Sequence, residues 1–154
     1  MMIIAVSSNS SWNLFNFRKN LLQKLDQVHK CHFYILCPED AYLKDLELKN
    51  VIFKRINLKP RKISILNDLI LIYQYFHFFL FLKPDIYLSY TIKPNIYGSF
   101  IANLFKIKTI NNFTGLGTLF NSKLFSKIFI NFLVKVSIKN SKKIIFHNNE
   151  NRDY

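Results

Sequence analysis

The chain has 154 residues, half of them hydrophobic, and carries 22 Lys and Arg against 9 Asp and Glu, a formal charge of +13. That length predicts one domain, and the 16% aromatic content with only 3 Gly and 4 Pro excludes collagenous, linker-like and disordered chains. The charge favours an anionic partner: nucleic acid, a phosphorylated substrate or an anionic membrane. Two cysteines, Cys31 and Cys37, and four scattered histidines supply no metal-binding spacing. The cysteines read as reduced packing residues of a cytosolic protein, and no metal is expected.

Taken in chain order, residues 2–7 (MIIAVS) read as a short buried strand. The opening MMIIAVSSNSS is too short and uncharged for a signal peptide. A helix is expected over 12–28, with Leu14, Phe17, Leu21, Leu22 and Leu25 on one face and Ser10 or Ser11 as its N-cap. A second strand, 32–37, stops at Pro38, and Ala41 to Leu48 reads as a short helix or loop. A third strand covers 51–57. A long helix follows over about 63–83, ended by Lys83-Pro84 because the residue before proline avoids helix. Residues 85–90 read as strand and about 94–105 as a helix opened by Pro94. A fifth strand spans 107–113, a glycine-containing loop runs from Thr114 to Thr118, a helix covers 121–140 and a sixth strand 143–148. Strict alternation of strand and helix predicts an α/β, Rossmann-like, doubly wound and mostly parallel six-stranded sheet.

Two segments raise the membrane. Ile63 to Leu82 is long enough to span a bilayer, but it carries Asn67, Asp68, Gln74 and His77. With Ser64 these follow a helical period, the pattern of a narrow wet stripe on an otherwise buried helix. In the 121–140 helix, Lys123, Lys127, Lys135 and Lys139 share a face with Asn131, while Phe125, Ile128, Phe129, Phe132 and Leu133 fill the other. That is the pattern of a helix lying on anionic lipid, and equally of one packed on a sheet with a solvated Lys face.

Open α/β sheets bind ligands beyond the carboxyl ends of their strands. Three polar loops are expected there: Ser7 to Trp12, Tyr90 to Asn95, and Asn111 to Gly117. Their hydroxyls and amides suit sugar hydroxyls and phosphate oxygens, and two of them open helices, whose first N–H groups attract anions. Each loop is also explicable as caps and turns. The first loop has no glycine, so neither a dinucleotide fingerprint nor a P-loop is present.

Ser8 to Arg18, with Leu21 and Leu25, resembles the opening of glycosyltransferase family four enzymes, nearest the subgroup that builds surface polysaccharides and lipid-linked oligosaccharides. Lys83-Pro84-Asp85-Ile86, Tyr90 to Gly98 (YTIKPNIYG), Ile110 to Gly117 (INNFTGLG) and Ile145 to Arg152 extend the resemblance through the whole chain. It implies a GT-B enzyme with two Rossmann-like domains, the amino-terminal one binding the acceptor and the carboxy-terminal one the nucleotide sugar. The expectation is that residues 1–154 form the acceptor domain and that the donor domain is absent. It also implies retention of anomeric configuration, no metal and no cofactor beyond the nucleotide sugar as co-substrate. The acceptor would be a polyprenyl-diphosphate-linked sugar and the location cytoplasmic, peripheral at the inner face of the membrane. Many members carry His where Thr114 stands, so that role does not transfer.

The resemblance and the residues together make Asn9, Arg18, Thr91, Lys93, Asn95, Asn112, Thr114, Gly115 and Gly117 candidate acceptor-binding residues. Arg18 and Lys93 are expected to meet phosphate or sugar. A salt bridge is the rival role for Arg18, and Lys93 is read as a surface lysine with no structural duty. Asn9, Asn95 and Asn112 are expected at sugar hydroxyls, and Gly115 and Gly117 where backbone approaches the sugars. A separately encoded donor domain, a lipid-linked acceptor and an anionic membrane are the expected partners, and nucleic acid is not. An inactive truncated remnant, or a basic nucleic-acid or membrane-binding module, stands as the alternative.

Overall fold

The computed structural model describes residues 1–42, 44–60, 64–114 and 124–147, with the side chains of 44, 124–130 and 133 left out. Six strands, β1 (Ile3–Ser7), β2 (His32–Cys37), β3 (Val51–Arg55), β4 (Ile86–Tyr90), β5 (Lys108–Phe113) and β6 (Lys143–Phe146), form one sheet in the order β3-β2-β1-β4-β5-β6. Every pairing is parallel, so the sheet is wholly rather than mostly parallel. Chain direction across the sheet reverses between β1 and β4, which makes their carboxyl ends the switch point.

Helices α1 (Ser11–His29), α2 (Ile65–Leu82), α3 (Ser99–Leu104) and α4 (Leu124–Lys139) join the strands. On one face α1 sets Leu14 and Leu22 against Ile4, Val6, Phe33, Ile35 and Leu88. On the other, Leu71, Tyr75 and Phe79 of α2 pack on Ala5, Leu36 and Tyr87, beside Ile101 and Ala102 of α3. Cys31 and Cys37 are buried and free, in the core under α1.

Local chemistry explains the boundaries. Ser10 accepts from the Asn13 N–H at 3.2 Å and caps α1. Lys83, before Pro84, leaves α2 in the left-handed region at φ 45°, the geometry of a helix C-cap. The segment after β4 opens as a π-helix, Pro94–Gly98, before continuing as α3. The Tyr87 hydroxyl donates to the Pro94 carbonyl at 3.2 Å, and a Cβ on Gly98 would lie 2.0 Å from that hydroxyl. The widened turn thus wraps a buried tyrosine and requires glycine at 98.

Three expectations are corrected. Phe17 and Leu21 are exposed, because the buried seam of α1 runs through Leu14 and Leu22 and they lie off it. Phe132 of α4 is exposed rather than packed, next to exposed Asn131 and near exposed Lys135 and Lys139. The largest reversal is in α2. Its polar residues do not form a wet stripe: Asp68 is buried, Gln74 accepts from the Asn57 N–H at 2.8 Å and Asn67 donates to Ser64 Oγ, and of the expected set only His77 is exposed. Apart from His77, the side turned to solvent is apolar instead.

Two predictions follow from this packing. Gly98→Ala forces an overpacked contact and should cost about 1–3 kcal/mol in chemical denaturation, part of it returned by Tyr87→Phe, which removes the closest atom. Burial first, and Asp40 second, push the Cys37 thiol from 9.0 to about 12. The unfolded thiol ionises first, so its stabilisation is complete below pH 9 and is lost as pH rises toward about 12. Denaturation midpoints across that window should fall, and less so for Cys37→Ala measured against its own neutral-pH value.

Candidate functional site

The β1, β4 and β5 loops lie side by side at the carboxyl edge, as neighbours in the sheet order. Arg18, two turns into α1, reaches across this edge. Its guanidinium carbon stands 4.8 Å from the centre of the Tyr90 ring at the end of β4. Its Nη2 is 3.3 Å from His147 Nε2, just past β6, and that same nitrogen is 2.7 Å from Asn112 Oδ1 on β5. Nε2 fills one role at a time. In the tautomer with a proton on Nε2 it donates to Asn112 Oδ1, and in the other it accepts from Arg18 Nη2. The group therefore couples α1, β4, β5 and the segment after β6 through one guanidinium.

Among the described residues, two buried side-chain polar atoms lack a hydrogen-bond partner: Arg18 Nε and Thr91 Oγ1. Both belong to residues expected in the site: Arg18 stacks on the Tyr90 ring, and Thr91 follows Tyr90 in the chain. Thr91 also has φ 69°. A β-branched residue in the left-handed region is strained, at a cost of order 1–3 kcal/mol. Strain and an unsatisfied buried hydroxyl thus fall on one residue, at the switch point of a parallel sheet.

The other candidates separate. Asn112 joins the Arg18 cluster. Asn9 lies on the β1 loop, where its Oδ1 accepts from Ser8 Oγ at 3.5 Å, and Thr114 is exposed just beyond β5. Asn95 is fully buried, and its side chain serves the fold: Oδ1 accepts from Ser89 Oγ at 2.6 Å and Nδ2 donates to the Asn112 carbonyl at 2.8 Å. It holds the edge together and does not face a sugar. Lys93 is not a surface lysine either. Its Nζ is 2.6 Å from Asp68 Oδ1, and both side chains are nearly nine-tenths buried. Asp68 Oδ2 also accepts from Tyr97 Oη at 3.2 Å, which ties α2 to the π-helix, and burial followed by the Asp68 charge raises the Tyr97 phenol well above its usual value. Gly115 and Gly117 lie outside the described residues, as do Asn148 to Arg152.

The expected anion site at the start of α1 is already taken. Asp40 accepts from the Ser11 N–H at 2.8 Å and the Trp12 N–H at 3.2 Å, and its other oxygen meets the Ser11 hydroxyl. The positive end of α1 therefore faces a carboxylate of the same chain. Sequence reasoning missed Asp40 and His147 as parts of this edge, and placed Tyr90 in its loop without giving it a role. His147 stood within the Phe146-His147-Asn148 stretch and was the most accessible signal of the three.

No protein-family model matches the sequence, and curated proteins yield no match. Solved structures do match. The chain superposes on a UDP-N-acetylglucosamine 2-epimerase with a TM-score of 0.67 at 15% identity, over 99% of this chain and 42% of that one. It superposes on Acinetobacter baumannii MurG with a TM-score of 0.61 at 13% identity, over 95% and 41% of the two chains. The lipopolysaccharide outer core galactosyltransferase WaaB matches at 0.51 and 15% identity, over 71% of this chain and 32% of that one. The fold is of the GT-B type. The chain spans about two fifths of the length of the first two of these structures.

The buried ion pair makes a sharp prediction that revises the expectation of a dispensable Lys93. Asp68→Ala leaves a buried ammonium without its carboxylate and should destabilise by about 3–5 kcal/mol. Replacing both partners, as Asp68→Leu with Lys93→Met, should recover most of that loss. Urea titrations of the two single variants and the pair decide it: additive losses would show that the two side chains act separately.

Proposed function

We propose that this chain is the acceptor-binding domain of a family-four-like glycosyltransferase. It would hold a sugar acceptor, carried on a polyprenyl diphosphate at the cytoplasmic face of a membrane, for transfer of a hexosyl or N-acetylhexosaminyl group. The nucleotide sugar would be bound by a second, donor domain, in another chain or another part of the same one. The observation that carries this reading is the pair of partnerless buried atoms at the switch point, Nε of Arg18, whose guanidinium lies over the Tyr90 ring, and Oγ1 of Thr91, the next residue in the chain. A donor N–H on a fixed cation suits a phosphate or hydroxyl oxygen, and a hydroxyl at the same sheet edge suits a sugar.

The GT-B fold shared with two glycosyltransferases supports sugar transfer in outline, and the resemblance through YTIKPNIYG and INNFTGLG supports the finer assignment. In this reading Tyr90 supplies a flat surface under Arg18, and Asn112 and His147 orient the guanidinium. Asn9 and Thr114 are the next groups outward along the edge. Asn95 and the Lys93–Asp68 pair act as positioning residues, because they hold the two loops that the acceptor meets.

The likeness to the epimerase supports a second reading, chemistry on the sugar nucleotide itself. One assay separates the two: the chain is incubated with UDP-N-acetylglucosamine and a prenyl-diphosphate-linked sugar, with and without a donor domain. Glycosylated lipid as product supports transfer; an epimerised sugar without any lipid product overturns it. Acceptor binding should weaken roughly 10- to 150-fold in Arg18→Ala, the loss of one hydrogen bond to a charged group at about 1.5–3 kcal/mol. Arg18→Lys should recover only part, since a point charge cannot reproduce the fork. Unchanged acceptor affinity in a folded Arg18→Ala protein would remove Arg18 from the site.

A further inference from the structure

The outward side of α2 carries no Asp, Glu, Lys or Arg, and its one polar side chain is exposed His77, packed between Tyr73 and Phe81. Ile65 is 78% exposed, Leu66 74%, Tyr73 66% and Phe81 73%, and Leu69, Ile70, Phe76 and Leu80 are exposed on the same helix. Its one acid, Asp68, is buried against Lys93. At 1.5 Å per residue this face is about 27 Å long. A helix on a solvated surface normally turns charged residues outward, and an apolar face of this size, interrupted only by His77, marks a contact with something else.

The surroundings say what that something is. Exposed Lys59 precedes the helix and exposed Lys83 follows it. Phe76 meets Phe105 at 5.3 Å between ring centres, and exposed Lys106 comes next in the chain. On the other flank, a groove of about 500 Å³ opens between α2 and the β2–β3 edge, floored by Tyr34, Leu36 and Ile56 and bordered by Lys54 and Arg55. The acids near the two ends of the helix are engaged within the chain, Asp68 by Lys93 and Asp85 by the Ile3 N–H at 2.8 Å. An apolar strip with cations at both ends and along both flanks complements an anionic lipid surface. A second copy fits poorly, because pairing through α2 in either direction sets Lys59 against Lys59 or Lys83. Spanning fits poorly as well. The helix is long and apolar enough to cross a bilayer, but Leu71, Tyr75 and Phe79 are packed on the sheet and Tyr75 Oη is 2.7 Å from Ser7 Oγ.

We propose that α2 lies flat in the surface of an anionic bilayer, its outward apolar face among the acyl chains and Lys54, Lys59, Lys83 and Lys106 at the headgroups. The helix runs from the carboxyl edge of β3 to the start of β4, so its first turn sits at the same edge of the sheet as Arg18 and Thr91. Docking through α2 does not depend on the chain's being a transferase.

The test is co-sedimentation of the full chain with vesicles of phosphatidylglycerol and phosphatidylcholine, against phosphatidylcholine alone. Binding should be strong to the first, weaker to the second by about tenfold or more, and reduced by salt. The pair Leu66→Asp with Tyr73→Asp should lower binding to anionic vesicles by about tenfold or more while the circular dichroism spectrum is kept. A second measurement stands even if that pair fails to fold. With Trp12→Phe removing the native tryptophan, Tyr73→Trp should be quenched by brominated acyl chains. No vesicle binding by the parent chain, or no quenching at position 73, overturns the proposal. So does a concentration-dependent dimer that the Asp pair abolishes, which would assign the face to a second copy.

Discussion

Asn95 and Asn111 are fully buried, and the carboxyl edge of the sheet is built around their amides. Asn111 Nδ2 donates to Ser99 Oγ at 2.6 Å and to the Asn95 carbonyl at 3.2 Å, while its Oδ1 accepts from Ser141 Oγ at 2.6 Å. Asn95 takes Ser89 on one side and the Asn112 carbonyl on the other. Ser137 of α4 closes the set by donating to the Ile96 carbonyl at 2.7 Å. Two strands, the π-helix, α3 and α4 thus share one polar core. Such networks are stable only when every member is satisfied, and for that reason they specify a single arrangement of the backbone around them. The strained Thr91 conformation exists because this network and the Lys93–Asp68 pair hold the residues that follow it.

A second set of buried hydroxyls works in parallel on the other side of the switch point. Ser7, at the end of β1, donates to the Leu36 carbonyl and meets Tyr75 of α2, and Tyr87 beneath them reaches the Pro94 carbonyl. Burial raises both phenols far above their usual range, so they act as neutral hydrogen-bonding groups at any physiological pH. This set lets α2 keep its inner face fixed to the sheet while its outer face is committed elsewhere. The rigid edge and the apolar outer helix are therefore two products of one crossover connection.

The six strands in chain order, the strand–helix alternation and the doubly wound class were legible in the residues, because parallel strands covered on both faces read as short apolar runs separated by helical periods. Ser10 as cap, Lys83-Pro84 as terminator and the convergence of three polar loops were equally legible, since each depends on local chemistry or chain order. The roles of individual loop residues were not. Asn95 and Lys93 look like ligand-reading groups in a linear chain, and their burial depends on partners 17 and 25 residues away, Asn112 and Asp68. The polarity of α2 misled for the same reason: a helical period shows which residues share a face, but not which face the sheet covers.

By itself, then, the sequence determined the α/β class, the order of elements and the edge where chemistry belongs, because these follow from hydrophobic period, turn residues and the topology of parallel sheets. Only the tertiary structure decided which polar residues are spent inside the fold and which meet at the carboxyl edge of the sheet. It set Arg18 on Tyr90, brought His147 to Asn112 across 35 positions and filled the start of α1 with Asp40. Those outcomes rest on hydrogen bonds and ion pairs between segments distant in the chain, whose partners exist only once the sheet has assembled.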